Sequence, residues 1–427
     1  MYQQTKVFGA ALSAAVLISF TAAAQSSLEK FYKGRSMTLF IGYAAGSTYD
    51  TYARTLARHM GRLIPGHPRI IAKNMTGGGG IRLGNYLYAV APKDGSVIAA
   101  IGRDLSTEPL LFGSKSKAKF DAREFTWLGS LNSEVSISAA WHTSGVKTLA
   151  DVQKKTLIVA SNSPTAQSSV FPSMMNAFVG TKFKTVCCYS GGNLMNFAME
   201  RGEVQGRASW SWSSVKRSAH HWVKSGKIFI LSQQAFQKHP DLPNVPLITD
   251  LAKSKEDLQA MRLLFYGLAV GRPYVSTPGL PRDRARALRG AFKKLLTDAK
   301  FLAEAKKRRL EINQPKDGAT VDRLLAEIYQ TPRDIVARAA AASRSTRVVK
   351  RKANYRTVNA TIEKVGKKGR SIMFKEKGDT VRAFLHRRAT KVTIGGKKAK
   401  GGKLKAGLSC SITFEGNNTL AKTVACK

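Results

Sequence analysis

Near the start of the chain, two successive stretches pass from an apolar run, through a short Gly/Ser/Thr segment, into apolar residues at helical spacing. Residues 37–43 read as a strand and 44–50 as a loop. Residues 51–61 read as a helix with Tyr52, Leu56 and Met60 four apart. The pattern repeats at once: 69–73 is a strand, the Gly-rich 74–80 a loop and 81–90 a helix, before another strand at 97–102. It returns twice more. Strand 157–160 runs into 161–165 and a helix carrying Val170, Met174 and Phe178, and strand 184–189 runs into 190–192 and the helix 193–201. Each loop places unhindered backbone N–H groups where a helix begins, and a helix N-terminus carries a partial positive charge. Such a place suits an anion.

From 28 to 343 the alternation of strands and helices predicts an α/β protein with parallel sheets. Four strand-end loops imply two lobes with two loops each. Ligands of open α/β sheets settle at the carboxyl ends of strands, so facing lobes would enclose one cleft. Ala285, Leu288, Phe292, Leu295, Ala299 and Leu302 predict a single amphipathic helix over 283–308, with its basic outer face solvated. Helices follow at 321–329 and 334–343. Residues 344–354 read as a basic linker, and 355–427 as short strands with Gly-rich turns, the pattern of a small antiparallel barrel.

Composition changes this picture in two ways. The formal charge is +43, from 70 Lys and Arg against 27 Asp and Glu, so anions are attracted from a distance. Residues 1–24 nevertheless read as a cleaved secretory signal: Lys6, an apolar stretch from Val7 to Phe20, then Ala22–Ala24. An exported protein is not expected to meet nucleic acid. Of the four cysteines, Cys410 and Cys426 sit at the ends of a hairpin-like segment and are expected to be bonded. Adjacent Cys187 and Cys188 read as buried free thiols.

Catalytic and metal motifs are sparse. No Gly-Lys-Ser/Thr ends either Gly-rich loop, Arg82 stands where a dinucleotide fingerprint needs a third Gly, and there is no H-E-x-x-H or G-x-S-x-G. Adjacent His220 and His221 point apart on a helix and read as surface. Asp50 and Asp104 read as caps or ligand contacts before an acid–base pair. Trp210 and Trp212 read as core, with a cleft wall as the second reading. Neither a catalytic residue nor a metal or other cofactor is expected. The alternatives are an exported serine hydrolase or transferase using Ser47 or Ser163, and an adhesion role for the basic C-terminal region.

Residues 31–34 (Phe-Tyr-Lys-Gly), 42–50, 74–80, 91–95 (Ala-Pro-Lys-Asp-Gly) and 239–246 (His-Pro-Asp-Leu-Pro-Asn-Val-Pro), in this order, resemble the Bug-type solute receptors of tripartite tricarboxylate transporters. The resemblance covers about residues 28–343. It implies a type II periplasmic-binding fold, with lobe 1 from 28–130 and 267–343 and lobe 2 from 131–266, followed by the unassigned β-domain. It also implies a monomeric periplasmic receptor that captures a small carboxylate and delivers it to membrane permease subunits. By position, Gly46, Ser47, Thr48 and Asp50 would belong to the first ligand loop and Gly77, Gly78 and Gly79 to the second. Ser161, Ser163, Thr165, Ser190, Gly191 and Gly192 would come from the opposite lobe. For a second carboxylate, Arg103 or Arg207 would have to face the loops.

Overall fold

Strands β1 (Ser36–Ile41), β2 (Arg69–Asn74), β3 (Val97–Ala100) and β4 (Thr126–Ser130) lie in one sheet. The computed structural model in which they are seen describes residues 27–350, 355–366, 369–385, 390–415 and 419–427. The expected signal at 1–24 and residues 351–354 of the expected linker lie outside the described residues.

Strands β5 (Ser136–Trp141), β6 (Leu157–Ser161), β7 (Phe183–Cys187), β8 (Gly206–Ser211) and β9 (Ile228–Gln234) build a second sheet. The chain then returns to the first sheet with β10 (Pro273–Ser276) and β11 (Lys316–Asp317). The first sheet runs in the order β11-β4-β10-β3-β1-β2, and these strands of the second in the order β7-β6-β8-β5-β9. Neither sheet is wholly parallel, which corrects the expectation from alternation. β1 is parallel to β2 and β3, and β6 to β7 and β8, whereas β10 runs against β3 and β4, and β5 against β8 and β9. A crossover helix returns the chain in the same direction within a sheet. β5 and β10 are each entered from the other sheet, so no such crossover fixes their sense.

The helices after β1, β2, β6 and β7 are α1 (Thr48–Met60), α2 (Ile81–Ala89), α3 (Gln167–Val179) and α4 (Gly192–Glu200). α1 starts three residues before the sequence expectation because the Ser47 side chain accepts the Asp50 N–H at 3.3 Å. Its inner face buries Tyr52, Leu56 and Met60 completely or nearly so, at about 1.5–3 kcal/mol for each large apolar side chain. The helix expected over 283–308 is two helices, Arg282–Leu295 and Ala299–Lys307. Between them Asp298 accepts the Phe301 N–H at 2.8 Å and starts a new N-terminus.

Residues 350–427 form a separate all-β unit. Its longest strand, Arg356–Val365, pairs antiparallel with Ser409–Phe414 on one side and Ser371–Glu376 on the other. Ile362, Ile372, Phe374, Ile412, Phe414 and Val424 form its core. The unit is not purely antiparallel as expected, since Lys391–Ile394 runs parallel to Thr423–Cys426. Cys410 and Cys426 are joined, as the sequence suggested, across directly paired positions. Cys187 and Cys188 are also joined, which corrects the free-thiol reading. β7 ends at Cys187, so the bond joins the last residue of the strand to the first residue beyond it. No helix of the described residues is long and apolar enough to cross a membrane.

Candidate functional site

The loops that follow β1, β3, β6 and β7 come together with the end of β8 around one cavity of about 400 Å³, within the usual range for small-molecule sites. Three helix N-termini reach it: Gly46 to Tyr49 at α1, Ala166 to Ser168 at α3, and Gly192 and Asn193 at α4. The α1 and α4 loops touch, with the Ala44 N–H donating to the Ser190 carbonyl at 3.0 Å. A side chain at Gly191 would crowd Ala44, its Cβ falling 3.1 Å from the Ala44 Cβ.

At the start of α1 the Asp50 N–H is taken by Ser47 Oγ and the Thr51 N–H by the Ser47 carbonyl. The N–H groups of Thr48 and Tyr49 have no protein acceptor among the described residues. These are first-turn donors that helix geometry leaves open. Asp50 itself faces inward. Its carboxylate accepts from the Gly46 N–H (3.0 Å), Arg54 Nε (2.8 Å) and Asn74 Nδ2 (2.7 Å), which fixes the loop.

Four arginines line the cavity. Arg272 is neutralised by Glu134 at 3.1 Å, and its guanidinium lies 4.7 Å from the Tyr49 ring centroid. Arg103, reaching from the loop after β3, donates only to neutral oxygens: Gln167 Oε1 (2.6 Å), Ser136 Oγ (2.8 Å) and Ser211 Oγ (3.0 Å). Arg217 donates to Thr48 Oγ1 at 3.3 Å, and its buried Nε has no partner. Burial, with Arg272 close by, draws its pKa down.

Arg207 is the cation least balanced by its surroundings. It rises from β8 and is 8% exposed. Its guanidinium stacks 4.3 Å from the Trp210 ring centroid and donates to Asn196 Oδ1 (2.8 Å) and the Gly192 carbonyl (3.3 Å). No carboxylate pairs with it among the described residues, and burial pushes its pKa down to about 9. An arriving anion would offset that desolvation. Asp104, another lining residue, accepts the Gln167 N–H at 3.3 Å, and burial raises its carboxyl above the usual range although Arg103 opposes this. Ser209 Oγ and Asn193 Oδ1 also line the cavity and are buried without partners.

Of the residues singled out from sequence, Gly46, Ser47, Thr48 and Gly192 line the cavity. Gly77, Gly78 and Gly79 do not. With Gly80 they hold four consecutive positive φ values, from 57° to 141°, which only glycine adopts freely. A Cβ on Gly79 would lie 2.7 Å from Ser163 Oγ, so the Gly-rich loop is used for close approach to the segment before α3. Ser163 Oγ accepts the Ala166 N–H, and Ser161 Oγ bonds the Ser163 carbonyl and Ser168 Oγ. Thr165 lies by the Glu108 carboxyl. Ser190 and Gly191 form the contact with Ala44. Neither Ser47 nor Ser163 hydrogen-bonds a histidine among the described residues, and no cluster there could hold a metal ion.

Sequence reasoning named Arg103 and Arg207 as the cations to look for, and both line the cavity. It did not find Arg217, Arg272, Asn193 or Asn196. Asn193 and Asn196 stand three apart at the start of a helix that follows a Gly-rich loop, and that was the available signal. Trp210 is both core and wall, being 1% exposed and lining the cavity. Trp212 instead donates its Nε1–H to Asp241 at 3.0 Å.

No protein-family model matches the chain, and no curated protein matches it. Solved structures do. MatC from Rhodopseudomonas palustris with bound malate is similar at a TM-score of 0.56 and 19% identity, over 71% of this chain and 99% of that one. R. palustris Rpa4515 with adipate is similar at 0.56 and 15%, over 72% and 98%. The periplasmic binding protein BugD is similar at 0.55 and 18%, over 74% and 100%. This chain therefore has the fold of these proteins, the periplasmic binding protein BugD among them, over nearly three-quarters of its length.

Proposed function

We propose that the chain is a periplasmic receptor that captures a small carboxylate in the arginine-lined cavity and delivers it to the permease subunits of a tripartite tricarboxylate-type transporter. The observation that carries this reading is Arg207, a buried guanidinium with no carboxylate partner among the described residues, lining one cavity with three helix N-termini. The malate and adipate in two of the structural neighbours support the ligand class.

In this reading the fold is of type II. Lobe 1 (28–130 with 267–343) and lobe 2 (131–266) close on the acid, and the protein acts as a monomer after removal of residues 1–24. One carboxylate accepts from the open N–H groups of Thr48 and Tyr49 and from Asn193, while a second acidic group meets Arg207 and Arg217. Gly46, Ser47, Thr48 and Gly192 make the close approach. Asp50, Gly77, Gly78, Gly79, Ser161, Ser163, Thr165, Ser190 and Gly191 hold the loops in position. Binding and release need no chemical step.

Titration calorimetry against mono-, di- and tricarboxylates and aromatic acids tests the reading. It expects saturable 1:1 binding of at least one acid with two or more carboxylates, and weaker binding of its monoacid counterpart. Absence of heat and of thermal stabilisation across the whole panel would overturn it.

A further inference from the structure

The receptor reading makes no use of the charge on the C-terminal unit. Over residues 355–427 there are 18 Lys and Arg against four Asp and Glu, and no acidic residue occurs from 380 to 414. In this unit Arg356 pairs with Glu376. Cations greatly outnumber the anions that could balance them there.

They are also not spread evenly. Lys391–Ile394 pairs with Lys397–Lys398 across Gly395 and Gly396, whose φ values of 55° and 74° make a tight two-residue hairpin turn. Lys397 and Lys398 stand beside that turn. The chain then passes Lys400, a short 3-10 turn at Gly401–Lys403, and Lys405, which gives five exposed lysines in nine residues. Buried Leu404 pins the segment to the core. A second basic turn lies directly on it: a Cβ on Gly369 would collide with the Gly401 carbonyl group, so the backbones are in contact and exposed Arg370 belongs to the same cluster. None of these six cations has an ion pair among the described residues.

We propose that this two-turn cluster is a docking surface for a linear acidic polysaccharide, recognised through its repeated charge. Holding six like charges on two anchored turns is unfavourable in isolation, and an extended chain of anions removes the repulsion at every site. Five of the six are lysines, point charges without the planar fork that reads one anion's shape. Segments 369–370 and 395–405 contain no aromatic residue, so they offer no platform for stacking nucleic-acid bases. They expose no large apolar side chain that would enter a bilayer.

The test is binding of fluorescently labelled polygalacturonate oligomers to the full chain, followed by anisotropy at 50 and 200 mM salt. The wild type is expected to bind at 50 mM and to lose at least tenfold in affinity at 200 mM. Lys397→Gln/Lys398→Gln and Lys403→Gln/Lys405→Gln should each cost severalfold and lessen the salt dependence. The same positions changed to Arg should retain binding. Equal charge removal elsewhere, as Lys293→Gln/Lys294→Gln or Lys306→Gln/Lys307→Gln, should leave affinity within twofold. The proposal is overturned if the wild type does not bind. It is equally overturned if charge removal at the control positions costs as much affinity as charge removal in the cluster, or if single-stranded DNA or vesicles of anionic lipid bind at least tenfold more tightly than the polysaccharide.

Discussion

The guanidinium of Arg207 lies 4.3 Å from the centroid of the Trp210 ring, and both residues belong to β8. The ring shields one face of the cation from water and leaves its edge to Asn196, Gly192 and the cavity. Arg207→Met should have two opposite effects. Affinity for a carboxylate ligand should fall about 30–100-fold, the size of a lost charge-assisted hydrogen bond. The unliganded protein should melt higher, because a buried charge without a carboxylate partner has been removed. Calorimetry and thermal denaturation on the same two proteins check both.

Gly79 tests the loop that does not line the cavity. Its φ of 69° and the 2.7 Å that would separate an added Cβ from Ser163 Oγ both oppose a side chain. Gly79→Ala should destabilise by about 1–3 kcal/mol, read from urea unfolding. The control change Gly113→Ala meets nothing within 4 Å but also has a positive φ of 48°, so it should cost only the conformational part.

How legible was all this in the sequence? The four strand–loop–helix units were readable because apolar runs, glycines and helical spacing are local signals, and α1, α2, α3 and α4 begin within a few residues of the expected places. Strand direction was not readable, since the sense of β5 and β10 depends on which sheet the chain leaves. Nor was the break at Asp298, where one capping carboxylate outweighs a continuous apolar stripe. Within the site, the loop at 46–48 and Gly192 were visible as Gly/Ser/Thr segments at helix starts, and they line the cavity. Arg217 and Arg272 were indistinguishable from the other basic residues of a very basic chain. What separates them is burial, a property of the assembled fold.

Glu108 gives a pH signature. It is 2% exposed, accepts from Ser116 Oγ at 2.7 Å, and burial pushes its carboxyl up to about 7. A carboxyl raised in the folded state favours folding fully below its unfolded pKa of about 4.5, and that contribution is lost as pH rises toward 7. Stability should therefore fall by about 1–3 kcal/mol from pH 4.5 to 7 through this group. Glu108→Gln should flatten that part of the profile, measured as urea midpoints across the range.

In the C-terminal unit, Cys410 and Cys426 close a loop with a sequence separation of 16. Replacing both with Ala should lower that unit's stability by about 3 kcal/mol. Limited proteolysis should then cut residues 355–427 sooner, while calorimetric carboxylate binding stays within twofold of the wild type.

The central claim is that backbone amides and an unbalanced arginine converge on one acid. A crystal structure of the protein with the tightest-binding dicarboxylate tests it most directly. One carboxylate is expected within about 3.2 Å of the Thr48 or Tyr49 amide nitrogen and the other within the same distance of Arg207. An acid bound elsewhere, or in this cavity without touching either group, would contradict the account.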